Sequence, residues 1–187
     1  MSRFSIRMVA VALVAGLSFS TVPAVQAQPE KQSYNAGVTA FKAGKFSDAI
    51  AAFQKAIQLS PNYTEAYYNL GLAQAKAGQT GGAIGSLEKA TQLDPKNAEA
   101  FAALGGVYRD AKKNSQAAGA YAAALKLNPR NGAWHYNLGI VYQTQNDFPN
   151  AIKAYEEYLK ITPKGKKADQ IRGIVEQMKN PKAIKKK

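Results

Sequence analysis

An all-α solenoid is predicted by three observations: a regular spacing of prolines, helical periodicity between them, and small residues at recurring positions. Pro61, Pro95, Pro129 and Pro163 follow one another at intervals of 34 residues. Proline cannot continue a helix and restricts the residue before it, so each one indicates a helix end followed by a turn. A repeat of this length is typical of arrays whose units bury their apolar faces against their neighbours.

Between the prolines, apolar residues recur with the period of a helix. In the second unit, Tyr67, Leu70, Gly71 and Gln74 fall at i, i+3, i+4 and i+7, which places them on one helix face. The same spacing over residues 83–90 predicts a second helix. Each unit is therefore expected to form two helices joined by a short turn.

Small residues recur where the two helices of a unit should meet. The eighth position of each unit is glycine, which lets two helix backbones approach closely. These glycines are Gly37, Gly71, Gly105 and Gly139. At the fifteenth position, Gly44 and Gly78 supply the left-handed conformation that ends the first helix. Lys112 and Asn146 stand at the same position, and we expect the turn at Lys112 to be the most strained.

These positions together resemble the pattern of the tetratricopeptide repeat family. Four repeats are assigned to residues 28–163, with units at 30–63, 64–97, 98–131 and 132–165. The third unit matches the family pattern at Phe101, Leu104, Gly105, Tyr108, Ala117, Tyr121, Ala124 and Pro129. The resemblance implies a right-handed α-solenoid whose first helices line a concave groove.

The resemblance also implies which residues form that groove. They are Tyr34, Phe41, Lys42, Tyr68, Leu72, Lys76, Arg109, Tyr136, Ile140 and Gln143. Tyrosine combines a large contact area with a hydrogen-bonding tip, as in many binding surfaces. We therefore predict a non-enzymatic scaffold that binds an extended or helical segment of another protein. In the alternative interpretation, Val38, Leu72 and Ile140 mainly pack between neighbouring helices.

One subgroup of the family holds the C-terminal carboxylate of its partner with lysine, asparagine and arginine. The corresponding positions here are Tyr34, Val38, Asn69, Glu99 and Ala103. Only Asn69 fits, so we expect another mode of recognition. The sequence leaves open a homo-oligomer formed through the terminal repeats, because the first helix of the first unit departs from the pattern.

The first residues are predicted to be a signal peptide, set apart from the fold. Arg3 and Arg7 form a positive segment, residues 8–19 are apolar, and Ala27 is a small residue of the kind that signal peptidase reads. The apolar run is shorter than the roughly 20 residues that span a bilayer. We expect an exported protein, periplasmic or secreted, with the signal peptide 1–27 cleaved after Ala27 and a role in the assembly of envelope or other extracytoplasmic complexes.

After the last repeat the pattern changes. Residues 164–179 are predicted to form a capping helix, because the apolar residues of this stretch fall on one helical stripe. These residues are Ala168, Ile171, Ile174, Val175 and Met178. Residues 180–187 are too polar to pack, and we predict a basic disordered tail.

The C-terminal lysines suggest an alternative function. Residues 164–187 contain nine lysines and arginines against two acidic residues, in a chain of formal charge +13. Each lysine near an anionic surface contributes about 1 kcal/mol of attraction. The alternative is thus peripheral binding to an anionic membrane surface or an acidic polymer, through Lys179, Lys182, Lys185, Lys186 and Lys187. A solvated tail that only keeps the protein soluble explains the same composition.

Composition argues against several other classes. The chain has no cysteine, which excludes disulfides and thiolate chemistry, and His135 is the only histidine. No paired carboxylates or Ser/His/Asp grouping emerges, so we expect neither enzymatic activity nor a cofactor. Nucleic acid is not the expected partner either, because the tail lacks the interleaved aromatic residues of single-strand binding.

Overall fold

In a computed structural model, which describes residues 28–180, the chain forms nine α-helices. In chain order they are α1 (Pro29–Lys42), α2 (Phe46–Leu59), α3 (Thr64–Lys76), α4 (Thr80–Leu93), α5 (Ala98–Asp110), α6 (Asn114–Leu127), α7 (Gly132–Thr144), α8 (Phe148–Ile161) and α9 (Lys166–Lys179). Within this described part there is no strand, and no helix has the length and apolar character needed to cross a membrane.

Consecutive helices pair into four hairpins, α1 with α2, α3 with α4, α5 with α6, and α7 with α8. Each hairpin packs against the next, and α9 packs against α8. Contacts of α1 with α3, α3 with α5 and α5 with α7 place the first helices on the inner, concave side of the stack. The predicted fold class, an all-α solenoid, is confirmed.

The contact between the two helices of a hairpin, called the seam below, is built around glycine. Each seam glycine faces a large side chain of the second helix in the same hairpin. The pairs are Gly37 with Phe53, Gly71 with Leu87, Gly105 with Tyr121, and Gly139 with Tyr155. A Cβ on Gly71 would lie 2.6 Å from Leu87 Cγ, and one on Gly139 would lie 2.5 Å from the ring of Tyr155. The predicted close approach of the helices is confirmed.

The turns inside the hairpins share one backbone conformation. Gly44 and Gly78 have φ angles of 73° and 77°, while Lys112 and Asn146 both have φ of 59°. All four lie in the left-handed region, as predicted, and two of them are not glycine. Because a Cβ disfavours this conformation, the turns at Lys112 and Asn146 carry strain that the first two turns avoid.

Helix α9 closes the last hairpin. Its residues Ala168, Ile171 and Val175 are buried, and Ile171 and Val175 join a cluster with Tyr155 and Tyr158 of α8. Helix α9 thus covers the apolar surface that a further hairpin would otherwise bury. The predicted signal peptide and the part of the predicted tail beyond Asn180 lie outside the described residues.

Candidate functional site on the concave face

Two rows of side chains run along the concave face, one residue from each first helix. The fifth positions of the four units carry Tyr34, Tyr68, Ala102 and Tyr136, from α1, α3, α5 and α7 in turn. The ninth positions carry Val38, Leu72, Gly106 and Ile140. Both rows are interrupted in α5, where alanine and glycine replace larger residues. The concave face is therefore uneven along its length.

The N-terminal part of the groove is filled by its own side chains. The ring of Tyr34 lies 5.7 Å from that of Phe53 and 5.1 Å from that of Tyr63. Asn69 Nδ2 donates to the Tyr34 hydroxyl at 3.0 Å and to the carbonyl of Glu65 at 2.8 Å. Burial, and then the charge of Glu65, raise the pKa of Tyr34. Because Asn69 already donates internally, it is not free to hold a carboxylate.

The other predicted residues of this part lie near the C-terminal ends of α1 and α3. Phe41 is half-buried, and its ring stacks edge-on against Phe46 at 5.6 Å. Lys42 and Lys76 are the last residues of their helices and are exposed. Leu72 is half-buried on α3. The two lysines therefore place positive charge along one edge of the groove.

In the C-terminal part of the groove, side chains of α7 pack against α8 and α9. Tyr136 lies 6.2 Å from Tyr155 and 5.7 Å from Tyr158, between ring centroids, and Lys167 Nζ lies 3.9 Å above the Tyr136 ring. Ile140 packs against the same cluster. Both residues are half-buried, so they contribute to packing as well as to the surface.

Gln143 and Arg109 are held by hydrogen bonds. Gln143 Oε1 accepts from the Tyr155 hydroxyl at 2.8 Å. Arg109 pairs with Asp110 at 2.9 Å, and its Nη1 donates to Asn137 Oδ1 at 3.0 Å. Burial by itself lowers the pKa of Arg109. The hydrogen bond to Asp110 and the charge of that residue raise this pKa by more, so the pKa of Arg109 is raised. Arg109 is thus a fixed cation whose charge is largely compensated.

The middle of the groove holds an open cavity of about 250 Å³ between α3, α5 and α7. Its lining residues are Tyr68, Glu99, Ala102, Ala103, Tyr121, Trp134 and Asn137. Aromatic rings come from three different helices, while the small side chains belong to α5. Burial, and then the charge of Glu99, raise the pKa of Tyr68. The cavity therefore has aromatic rings in its walls and one carboxylate, that of Glu99, among its lining residues.

Sequence reasoning selected Tyr68 for the groove but missed Trp134, Tyr121 and Asn137. Trp134 lies two residues before Tyr136, and Tyr121 belongs to a second helix, so a rule based on groove positions passes over both. The available signal was the alanine at 102, where the other three units have tyrosine. Where a large groove side chain is missing, the side chains behind and beside that position become accessible from the groove.

Of the five lysines predicted to bind an anionic surface, one is the last residue of α9 and four come after this helix in the sequence. Lys179 is the last residue of this helix, and its Nζ pairs with Glu156 of α8 at 2.8 Å. The remaining four lie outside the described residues: Lys182, Lys185, Lys186 and Lys187. Lys179 thus forms a surface ion pair between α9 and α8.

Comparison with known proteins gives the same architecture. Models of the TPR repeat and of the tetratricopeptide repeat match residues 37–78, 64–97 and 102–166. The crystal structure of a MamA protein is similar to this chain, with 30% sequence identity and a TM-score of 0.76. The match covers 82% of this chain and 84% of the MamA chain. The chain matches no curated protein sequence significantly.

Two more distant structures share the fold. The first is YrrB, described as a TPR protein with an unusual peptide-binding site, at 21% identity, with 79% of this chain and 76% of YrrB covered and a TM-score of 0.70. The second is the first TPR of Spaghetti (RPAP3) bound to an HSP90 peptide, at 22% identity, with 64% and 94% covered and a TM-score of 0.62. These two structures show the shared fold. The repeat matches and the MamA similarity show that this chain belongs to the tetratricopeptide repeat family.

Proposed function

We propose that this protein is a non-enzymatic scaffold that binds a segment of another protein in the middle of its concave groove. One observation carries the proposal: both ends of the groove are filled by their own packing, whereas an open, aromatic-lined cavity lies between α3, α5 and α7. Aromatic side chains around a recess are the usual anchors of protein recognition.

The solved relatives support this choice of partner. YrrB is described as having a peptide-binding site, and the Spaghetti domain is bound to a peptide. Repeat arrays offer an extended concave surface, and such a surface suits an extended or helical segment. A segment lying across α3, α5 and α7 would reach the cavity and, at the end of α3, Lys76.

The groove is tested by affinity capture from an envelope extract of the native organism. We expect Tyr68→Ala and Lys76→Glu to lose the captured partner. Lys55→Glu, an equivalent charge change at an exposed position of α2, should retain it. Tyr136 is left intact because its ring packs against α8 and Lys167.

Circular dichroism serves as the control for folding in each variant. Equal capture by the two groove variants and by Lys55→Glu would contradict the groove assignment. Recovery of the chain itself as the captured protein would favour self-association through the terminal hairpins over a separate partner.

We also propose that the scaffold acts in an extracytoplasmic complex. The support is the pattern near the start of the sequence, with Arg3 and Arg7 before the apolar run of residues 8–19 and the small residue Ala27 after it. Mass spectrometry of the protein isolated from native cells is expected to find Gln28 as the first residue. A mature protein that keeps Met1 in the cytoplasmic fraction would contradict export.

Anionic-surface binding is the second candidate, supported by the lysine-rich C-terminal sequence. Because Lys179 is paired with Glu156, the contact would depend on the lysines that follow α9. Deletion of residues 182–187 should abolish binding to phosphatidylglycerol vesicles at low salt, and added salt should abolish it in the intact chain. Binding that survives the deletion would exclude the tail as the contact.

A further inference from the structure

We propose that the concave cavity between α3, α5 and α7 is a socket for one basic side chain, arginine or lysine, of the bound segment. The inference rests on the proposed function, since it assigns the chemistry of one position in the partner. A cavity of about 250 Å³ is below the roughly 300–1,000 Å³ of small-molecule pockets, so its size suits a single side chain.

The socket exists because α5 is depleted of large side chains on its concave face. Ala102 stands where α3 has Tyr68 and α7 has Tyr136, and Gly106 stands where α3 has Leu72. A Cβ on Gly106 would meet only the Tyr121 hydroxyl oxygen, at 3.5 Å. The space over α5 is therefore open to a side chain that enters from the groove.

Aromatic rings from both neighbouring helices stand around this space. Tyr68 of α3 and Trp134 of α7 line the cavity, and Tyr121 of α6 contributes a third ring. A cation near the face of such rings is attracted by their quadrupoles, and tryptophan is the strongest of the common partners. The walls therefore favour a cationic side chain over a neutral one of the same length.

Glu99 supplies the opposite charge. It belongs to the first turn of α5, it is exposed, and it lines the cavity. The four ion pairs among residues 28–180 do not involve Glu99. Glu99 and Tyr68 line the same cavity, and the charge of Glu99 adds to burial in raising the pKa of Tyr68. A basic side chain between the rings would donate a charge-assisted hydrogen bond to this carboxylate.

The nearby cation does not favour an acidic occupant. Arg109 lies beside the cavity, since it donates to the lining residue Asn137 and its charge opposes the burial that raises the pKa of Tyr121. It is paired with Asp110, however, and is not itself a lining residue. An entering carboxylate would have to compete with Asp110 for Arg109, and it would also lie close to Glu99. The charge balance at the cavity therefore favours a cation.

The test begins with a random dodecapeptide library displayed on phage and selected with the full chain. We expect the recovered peptides to share an arginine or lysine at one position. A recovered peptide is then resynthesised with citrulline in place of that arginine, which keeps the shape and removes the charge. Binding followed through the fluorescence of Trp134, the single tryptophan of the chain, should weaken about tenfold.

Two variants locate the effect in the socket. With Glu99→Gln the difference between the arginine and citrulline peptides should shrink from about tenfold to about threefold, because the contribution of the rings remains. Glu65→Gln, which removes a carboxylate at the equivalent position of α3, should keep the full difference. Ala102→Tyr restores the residue type of α3 and α7 and should remove the preference for arginine, because the ring fills the cavity.

Three outcomes would overturn the inference. Peptides recovered without a shared basic residue would contradict the socket while leaving the proposed peptide binding intact. Peptides that share an acidic residue, and whose binding depends on Arg109 instead of Glu99, would reverse the assigned charge. Recovery of no binding peptide would contradict the proposed function together with the socket.

Discussion

Two surfaces of the first helices, the seam and the concave face, differ in how strictly their residues recur. In the seam all four hairpins have glycine, facing the large side chains Phe53, Leu87, Tyr121 and Tyr155. On the concave face the fifth positions change from tyrosine to alanine in α5 alone. A seam contact leaves room for a single residue type, whereas a groove position accepts any side chain that the partner can use.

Neighbouring residues of α5 show the same difference at close range. A Cβ on Gly105 would lie 3.0 Å from the Tyr121 ring, which is tighter than ordinary packing. A Cβ on Gly106 would meet only the hydroxyl oxygen of the same tyrosine, at 3.5 Å. Packing therefore requires glycine at position 105, whereas position 106 has room for a side chain.

The largest effect is expected when a seam glycine is replaced. In Gly139→Ala the new methyl would lie 2.5 Å from the buried Tyr155 ring, which cannot move without disturbing its neighbours. Overpacking costs about 1–3 kcal/mol and outweighs the gain of up to about 1 kcal/mol in helix propensity. We expect Tm to fall by about 4 °C in thermal unfolding followed by circular dichroism.

Gly106→Ala is the matched control, because it adds the same methyl group to a first helix at an open position. Its Tm should stay unchanged or rise, since only the propensity gain applies. Equal losses of Tm in the two variants would show that the seam is no more constrained than the groove.

The seam was predictable from sequence because its constraint is steric and repeats in every unit. Regular prolines, seam glycines and the left-handed turn position were enough to predict the helix pairs and the solenoid. Substitutions that compensate one another were harder to foresee. Gln74 replaces an aromatic residue, accepts a hydrogen bond from Ser86 at 2.6 Å, and occupies space that a Cβ on Gly82 would enter at 2.8 Å.

The groove was less predictable because its character depends on neighbours distant in sequence. Position rules selected Tyr136 and Ile140, but whether these side chains remain accessible depends on how α8 and α9 pack against them. The same rules passed over Trp134, which becomes accessible to the cavity because Ala102 of another helix is small. The accessibility of a side chain depends on how neighbouring hairpins pack, so it cannot be predicted from the sequence of one repeat.

The second-largest effect on stability is expected at the outer contacts between neighbouring hairpins. One of these contacts holds a hydrogen-bonded pair of side chains, and the equivalent contact one unit later leaves a cavity. The Tyr108 hydroxyl donates to Glu88 Oε1. One unit later, Ala122 and Tyr142 occupy the equivalent positions and line a cavity of about 350 Å³. Glu88→Ala should destabilise the protein by about 1–2 kcal/mol, because it leaves the Tyr108 hydroxyl without its acceptor.

The reverse substitution is the control for this contact. Ala122→Glu brings a carboxylate to the same relative position and should raise Tm slightly through a hydrogen bond from Tyr142. A loss of stability on Ala122→Glu comparable to that of Glu88→Ala would show that the two contacts do not follow one geometry.

A pH effect is expected from the tyrosines of the seam and of the outer contact. Burial, aided by the charge of Tyr136, raises the pKa of Tyr155 to about 12, and burial with the Glu88 hydrogen bond raises that of Tyr108 to about 12. In the unfolded chain both ionise near pH 10. Their neutral forms therefore stabilise the folded state fully below about pH 10, and this contribution is lost as pH rises toward 12.

Thermal unfolding at a series of pH values checks this expectation. Tyr155→Phe should lower Tm at neutral pH, since it removes the hydrogen bond to Gln143, and it should reduce the further fall of Tm above pH 10. An alkaline fall of the same size in the wild type and in a Tyr108→Phe/Tyr155→Phe variant would assign it to other groups.

The smallest effect is expected in the hairpin turns, where the backbone recurs but the residue type does not. Lys112 has φ of 59° at the position where the first two hairpins have glycine. Lys112→Gly should raise Tm by about 1–3 °C, because relief of left-handed strain exceeds the added backbone entropy of the unfolded chain. Asn146→Gly should raise it less, since asparagine tolerates this conformation better. Ala111→Gly, at φ of −79° in the same turn, should lower Tm instead, because only the added backbone entropy of the unfolded chain applies. If Lys112→Gly lowered Tm as Ala111→Gly does, the turn would be unstrained, and its departure from glycine would have no energetic cost.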